Sequence, residues 1–259
     1  MDDIITSRAN PLICEIAKLS DKKYRDEEKL FIFEGKKLLE EAITSDLEIK
    51  YIFYTEDNCD FFDNKLLNIC KKIVSDGVYA KITEEKAPQG ILCVAKYLDN
   101  FHKNVKIYSN NYSKIFMLSS IRDPGNLGTI IRTACAFGID KLILSDDCAD
   151  IYNSKTIRAS MGALFRQKIV ICEDIIDTIK ILKSKYKIYA AVLENAEDIR
   201  NIKLTDNTCF ILGNEGHGLS DEMVNICDHK ITIPMVDGTE SLNVSAAAAV
   251  LMWEVYKEC

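Results

Sequence analysis

The stretch CFILGNEGHGLSDEMVNICDHKITIPMVDGTESLNVSAAAAVLMWEVYK, Cys209 to Lys257, decides the fold. Two short apolar runs, Cys209–Leu212 and Ile231–Ile233, read as buried strands. Each opens into a loop of small and polar residues, Gly213 to Gly218 after the first and Pro234 to Asn243 after the second. The second loop feeds an alanine-rich helix, Val244 to Lys257. Loops leaving the ends of neighbouring strands form a crevice in an open α/β sheet, the usual place for a ligand. Glycine there lets backbone approach a ligand closely, and Glu215, Ser241 and Asn243 are the polar groups that face it. Each loop alone reads first as a turn that caps a strand, with Ser241 or Asn243 capping the last helix. The two together point to a site.

Upstream, the same alternation covers the chain from Lys114. It predicts strand Ile115–Ser119, the loop Arg122-Asp-Pro-Gly-Asn-Leu-Gly128, helix Thr129–Phe137 and strand Lys141–Leu144. Helix Ser154–Leu164, strand Lys168–Ile171, helix Ile175–Lys185 with Asp174 as its cap, and strand Lys187–Leu193 follow. Strand and helix repeated this way predict a parallel, doubly wound α/β sheet covered on both faces. In the loop before the first of these helices, Pro124-Gly125 forces the turn and Asn126 reads as the N-cap. Arg132 then falls in the second turn and points at the crevice, the alternative being an arginine on the outer face.

The front of the chain carries a smaller α/β alternation. Helical spacing over residues 4–20 is followed by a charged turn from Ser20 to Glu28, strand Leu30–Phe33 and a helix through Ile43. Strand Ile49–Tyr54, a helix around Asp63–Lys72, a strand at Ile73–Val74 or Tyr79–Ile82, and strand Gly90–Ala95 complete it. This predicts one domain over residues 1–100, an asparagine-rich linker over 101–112, and a second domain over 113–259.

Composition narrows the function. No apolar run reaches the length of a membrane span, and the acidic, mixed N-terminus MDDIITSRANPLICEIAK is unlike a signal peptide. Ten cysteines occur without a C-x-x-C pair, which fits free thiols in a reducing cytoplasm and disfavours a zinc ribbon or redox motif. The net charge of −7 argues against bulk binding of nucleic acid. One stretch, Ile151 to Cys172, contains no Asp or Glu but holds Lys155, Arg158, Arg166 and Lys168. His102, His217 and His229 are too far apart to suggest a metal cluster. There is no phosphate-binding Gly-Lys-Ser/Thr loop, no early G-x-G-x-x-G and no G-x-S-x-G.

Three segments taken together carry a resemblance: Arg122-Asp-Pro-Gly-Asn-Leu-Gly-Thr-Ile-Ile-Arg132-Thr-Ala, Ile211-Leu-Gly-Asn-Glu-Gly-His-Gly-Leu-Ser220, and Ile233-Pro-Met with Glu240-Ser-Leu-Asn-Val-Ser-Ala246. In this order they resemble the SpoU (TrmH-like) branch of the SPOUT RNA ribose 2′-O-methyltransferases. Arg158-Ala-Ser-Met-Gly-Ala is similar to that family's middle helix. Phe31-Ile-Phe-Glu-Gly-Lys-Lys and Pro88-Gln-Gly-Ile resemble its small RNA-binding domain. The resemblance implies a C-terminal parallel-sheet domain with a deep trefoil knot, S-adenosylmethionine as cofactor, RNA as partner, and a homodimer through the C-terminal domain. It places Asn126, Arg132, Glu215, Ser241 and Asn243 on catalytic positions. Cofactor-binding positions fall on Leu193, Gly213, Gly216, Ile233 and Leu242. Arg8, Lys22, Lys23, Arg25, Lys36 and Arg158 become candidate RNA contacts, each also readable as a solvated surface charge. The implied reaction is methylation of a ribose 2′-hydroxyl, in large-subunit rRNA ahead of tRNA, and it calls for no metal. Two other readings are an RNA-binding protein silent in catalysis and an NAD-type dehydrogenase, the latter disfavoured by the missing G-x-G-x-x-G.

Overall fold

Short apolar runs separated by capped helices build two sheets. The computed structural model describes residues 4–61, 69–98, 114–204 and 207–257, with the backbone alone at 101–103. The chain divides into two units, one holding the residues up to Leu98 together with Tyr152–Phe165, the other holding the rest.

In the first unit, α1 (Pro11–Lys18) and α2 (Lys22–Glu28) precede β1 (Leu30–Glu34), α3 (Lys36–Thr44), β2 (Ile49–Tyr54), β3 (Cys70–Ile73), α4 (Asp76–Ile82) and β4 (Ile91–Lys96). The sheet order is β1-β4-β2-β3. β4 runs antiparallel to both of its neighbours, and β2 runs parallel to β3. The expected charged turn over Ser20 to Glu28 is in fact helix α2, capped by the Asp21 side chain, which accepts from the Lys23 amide at 2.7 Å. Lys-Lys-Tyr-Arg-Asp-Glu-Glu has almost no apolar period, so only the cap announced it. Within α2, Arg25 is 6% exposed and donates to the carbonyls of Leu19 and Ser20, both at 2.7 Å. It closes the end of α1, which corrects its assignment as an RNA contact. The helix expected around Asp63 lies largely outside the described residues, and its last part, Cys70–Lys72, is in strand β3. Tyr79–Ile82 ends α4 and is not a strand.

Phe101–Lys103, expected as linker, forms β5; residues 104–112 of that linker lie outside the described residues. The remaining strands are β6 (Lys114–Leu118), β7 (Lys141–Ser145), β8 (Ile169–Cys172), β9 (Lys187–Ala191), β10 (Glu197–Asp198), β11 (Thr208–Leu212) and β12 (His229–Thr232). They form one sheet with β5 in the order β10-β12-β9-β11-β6-β7-β8-β5, every pairing parallel. All five residues of β7 and of β11 are buried, as strands covered on both faces require. Ile115, Met117, Ile143, Ile188 and Ile211 share one core with Ile179 and Leu182, each fully buried side chain contributing about 1.5–3 kcal/mol.

The helices of this unit are α5 (Pro124–Ala136), α7 (Ile175–Leu182), α8 (Asp221–Ile226) and α9 (Val244–Lys257), and α5 packs on α9. α7 is capped by Asp174 as expected. α6 (Ser154–Ser160) was expected in the C-terminal domain but belongs to the first unit. There the rings of Tyr152 and Phe165 meet Phe31 and Phe33, with centroids 4.7 and 5.2 Å apart.

Candidate functional site

Because β9, β11 and β12 are parallel, their carboxyl ends share one edge of the sheet. The loops that leave them enclose a cleft of about 680 Å³. Apolar side chains, among them Leu193, Leu212, Ile233 and Leu242, line part of it, and backbone from Gly213 to Gly218 lines another. Four acidic residues, Glu194, Glu215, Asp221 and Glu240, and one lysine, Lys230, are in that lining. The cleft is thus apolar in part and negative in charge, which suits a ligand combining a flat apolar group with a cationic centre.

The loop after β11 is held tightly. A Cβ on Gly213 would sit 2.3 Å from the carbonyl carbon and oxygen of Gly218, so no larger residue fits without moving backbone. Asn214 uses its side chain twice: Nδ2 donates to the Ser120 carbonyl at 2.9 Å, and Oδ1 accepts from the Gly216 amide at 2.8 Å. The Gly218 amide returns to the Asn214 carbonyl at 2.9 Å. This geometry presents Glu215 outward from a fixed turn.

α5 supplies the second component. Its N-cap is Asp123, not Asn126: the Asp123 carboxylate accepts from the Asn126 amide at 2.9 Å, and Pro124 occupies the first helical position. Proline is favoured there because it has no amide hydrogen to satisfy. With the cap supplied by Asp123, the Asn126 side chain is free to act at the site. Its Nδ2 donates to Glu215 Oε1 at 2.6 Å, and its Oδ1 accepts from Asn243 Nδ2 at 3.1 Å. Asn243 in turn caps α9, its Oδ1 accepting from the Ser245 amide at 2.9 Å and the Ser245 hydroxyl at 2.6 Å. One chain of hydrogen bonds therefore joins three loops far apart in sequence.

The other expected residues divide into groups. Ser241 is exposed and lines the cleft together with Leu193, Gly213, Gly216, Ile233 and Leu242. Arg132 is exposed in the third turn of α5, not the second, because the helix starts earlier than expected. It does not line the cleft. Six residues beyond Asn126, it lies about 9 Å farther along the helix and about 120° around it. The partner of Glu215 is Asn126. Arg8, Lys22, Lys23 and Lys36 are exposed in the first unit, and the Lys36 ammonium lies 5.3 Å from the Phe61 ring. Arg158 is paired with Glu85. Sequence reasoning missed Asp123, although an Asp-Pro pair before a helical run signals cap and first position together.

This unit is an α/β domain with a ligand cleft at the carboxyl ends of parallel strands, and comparison with known proteins names it further. The model of the SpoU rRNA methylase family matches residues 113–253, and the model of the MRM3-like substrate binding domain matches residues 10–93. The chain belongs to the SpoU rRNA methylase family. It is 31% identical to the 23S rRNA (guanosine(2553)-2′-O)-methyltransferase RlmP of Bacillus subtilis, over 97% of this chain and 98% of that one. It also resembles the AdoMet-bound rRNA methyltransferase of Sinorhizobium meliloti, with a TM-score of 0.86, 28% identity, and coverage of 98% of this chain and 97% of that one. The SpoU methyltransferase AviRb of Streptomyces viridochromogenes, 21% identical with a TM-score of 0.82 over 96% of this chain and 98% of that one, shares the fold.

Proposed function

We propose that the protein transfers a methyl group from S-adenosylmethionine to a ribose 2′-hydroxyl of RNA, in large-subunit rRNA. The observation that carries this reading is the hydrogen-bonded trio Asn126, Glu215 and Asn243, which ties α5 and the start of α9 to the glycine loop at the cleft. The negative, partly apolar cleft fits the cofactor, with Leu193, Gly213, Gly216, Ile233 and Leu242 around it and Ser241 at its edge. Bound there, S-adenosylmethionine supplies an electrophilic methyl group on a positively charged sulfur.

The chain's own residues do the rest. A 2′-hydroxyl is a weak nucleophile, so placement and stabilisation of its developing charge carry the rate. Asn126 holds one oxygen of the Glu215 carboxylate, which orients the other to accept from a ribose hydroxyl. Asn243 fixes Asn126, so the trio acts as one rigid unit. Arg132, exposed on α5, grips an RNA phosphate through charge-assisted hydrogen bonds.

Residues 1–100 recognise RNA through Arg8, Lys22, Lys23 and Lys36. Arg158 joins them once its pairing with Glu85 is exchanged for phosphate. The chain threads a deep trefoil knot in residues 113–259 and pairs as a homodimer in the cytoplasm. Exposed Trp253 and Tyr256 on α9, beside Phe137, support such an interface. The test is to map 2′-O-methyl groups in RNA from cells with and without the gene, alongside transfer to total RNA by purified protein. Loss of one rRNA site in the deleted cells is expected. A methyl site lost from tRNA instead would redirect the substrate, and unchanged maps with no transfer in vitro would refute the reading.

A further inference from the structure

Ser120 has φ +58°, a conformation that residues other than glycine and asparagine rarely adopt. All three of its hydrogen-bonding groups are engaged. Its amide donates to the Ser145 hydroxyl at 2.8 Å, its hydroxyl donates to Asp147 Oδ2 at 2.6 Å, and its carbonyl accepts from Asn214 at 2.9 Å. Ser145 donates to the other oxygen of Asp147, also at 2.6 Å, and Arg122 Nη2 lies 3.5 Å from Oδ2. The carboxylate of Asp147 thus ties the end of β6 to the end of β7 and gathers three donors.

The position of Ser120 gives this cluster a consequence for the site. Three residues later comes Asp123, which caps α5 and sets where Asn126 begins. On the other side, the Ser120 carbonyl holds Asn214, the residue before Glu215. Both partners of the Asn126–Glu215 hydrogen bond therefore trace back to one strained residue, and Asp147 clamps that residue without lining the cleft itself. Burial alone would raise the Asp147 pKa, but hydrogen bonds from Ser120, Ser145 and Arg122 outweigh it and keep the carboxyl below its usual range. The clamp is in its charged, accepting form throughout the neutral range.

We infer that Asp147, acting through Ser120, is a positioning residue that aligns Asn126 with Glu215 for the transfer reaction. The inference rests on the methyl-transfer reading for its kinetic part only, because the ordering of the loops can be measured without turnover. The experiment compares Asp147→Ala and Asp147→Asn by amide hydrogen exchange and by steady-state kinetics with rRNA. In Asp147→Ala, the amides of Ser120 and Gly216 exchange about tenfold faster or more, while mid-strand amides of Phe116 and Phe210 keep their rates. In the same variant kcat falls by about tenfold to a hundredfold, more than any loss of affinity for S-adenosylmethionine, with KM for RNA nearly unchanged.

Asparagine offers only one acceptor oxygen to two serine donors, so Asp147→Asn falls between wild type and Asp147→Ala. Glycine takes the Ser120 conformation without strain, so Asp147→Ala has a smaller kinetic effect in a Ser120→Gly background. Exchange and kcat within twofold of wild type in Asp147→Ala would overturn the inference. So would a uniform rise in exchange across the sheet, which marks a purely structural role. If Asp147→Ala does not fold, Asp147→Asn carries the same comparison. If wild type transfers no methyl group, the functional reading fails while the exchange data still decide the clamp.

Discussion

Asn126 and Glu215 stand 89 positions apart in the chain and meet at 2.6 Å. That meeting depends on a loop with no spare room. Gly213→Ala would force its Cβ against the Gly218 carbonyl, so the loop must open. Affinity for S-adenosylmethionine in calorimetric titration should fall by about tenfold or more, a loss of roughly 1.4 kcal/mol. Arg132 tests the chemistry separately. Arg132→Ala should lower kcat/KM by about a hundredfold. Arg132→Lys should keep a measurable part of the rate, flat between about pH 7 and 9, because lysine stays charged there. Activity in Arg132→Lys that climbs with pH would point instead to a proton acceptor at this position. Asn126, Glu215 and Asn243 were legible in the sequence through the three motifs. The Ser120–Asp147 cluster was not, since serine and aspartate at strand ends carry no spacing that marks them until the strands are paired.

At the scale of elements, composition and caps told unequal stories. α9 and β2 occupy the ranges the sequence predicts, because one is alanine-rich with no glycine or proline to break it and the other is an aromatic, β-branched run. α2 escaped notice because seven residues with one aromatic and no aliphatic side chain show no period. At the start of α5, Asn126 and Asp123 are both good caps, and proline at the first position decides for Asp123. α9 also carries a testable face. Trp253 and Tyr256 are about half exposed, and their rings lie 5.8 and 5.6 Å from Phe137. On the proposed dimer, replacing both by serine should give monomers in sedimentation velocity while the helical circular dichroism persists. Unchanged sedimentation would remove this face from the interface.

For the molecule as a whole, the parallel sheet was legible from alternation alone, and its stability should depend on acid. The Asp228 carboxylate accepts from the Ile188 amide at 2.9 Å and pairs with Lys183 at 3.2 Å. Burial pushes its pKa up, but the Ile188 and Lys183 hydrogen bonds and the charges of Lys183 and Lys187 bring it below the usual value. A depressed folded pKa adds stability above the unfolded value, and this is lost as pH falls through the folded value. Asp228→Asn should therefore cost on the order of 1 kcal/mol at neutral pH. In urea titrations the gap from wild type should close below about pH 4.

What alternation could not reveal is that Tyr152–Phe165 leaves the large sheet's unit, contributes to the other, and hands the chain back at Arg166. A polypeptide cut to begin at residue 113 would bare Tyr152, Ile157, Leu164 and Phe165, all buried here, and should clump rather than dissolve. Grafting a different front domain would therefore mean rewriting those fourteen residues with it.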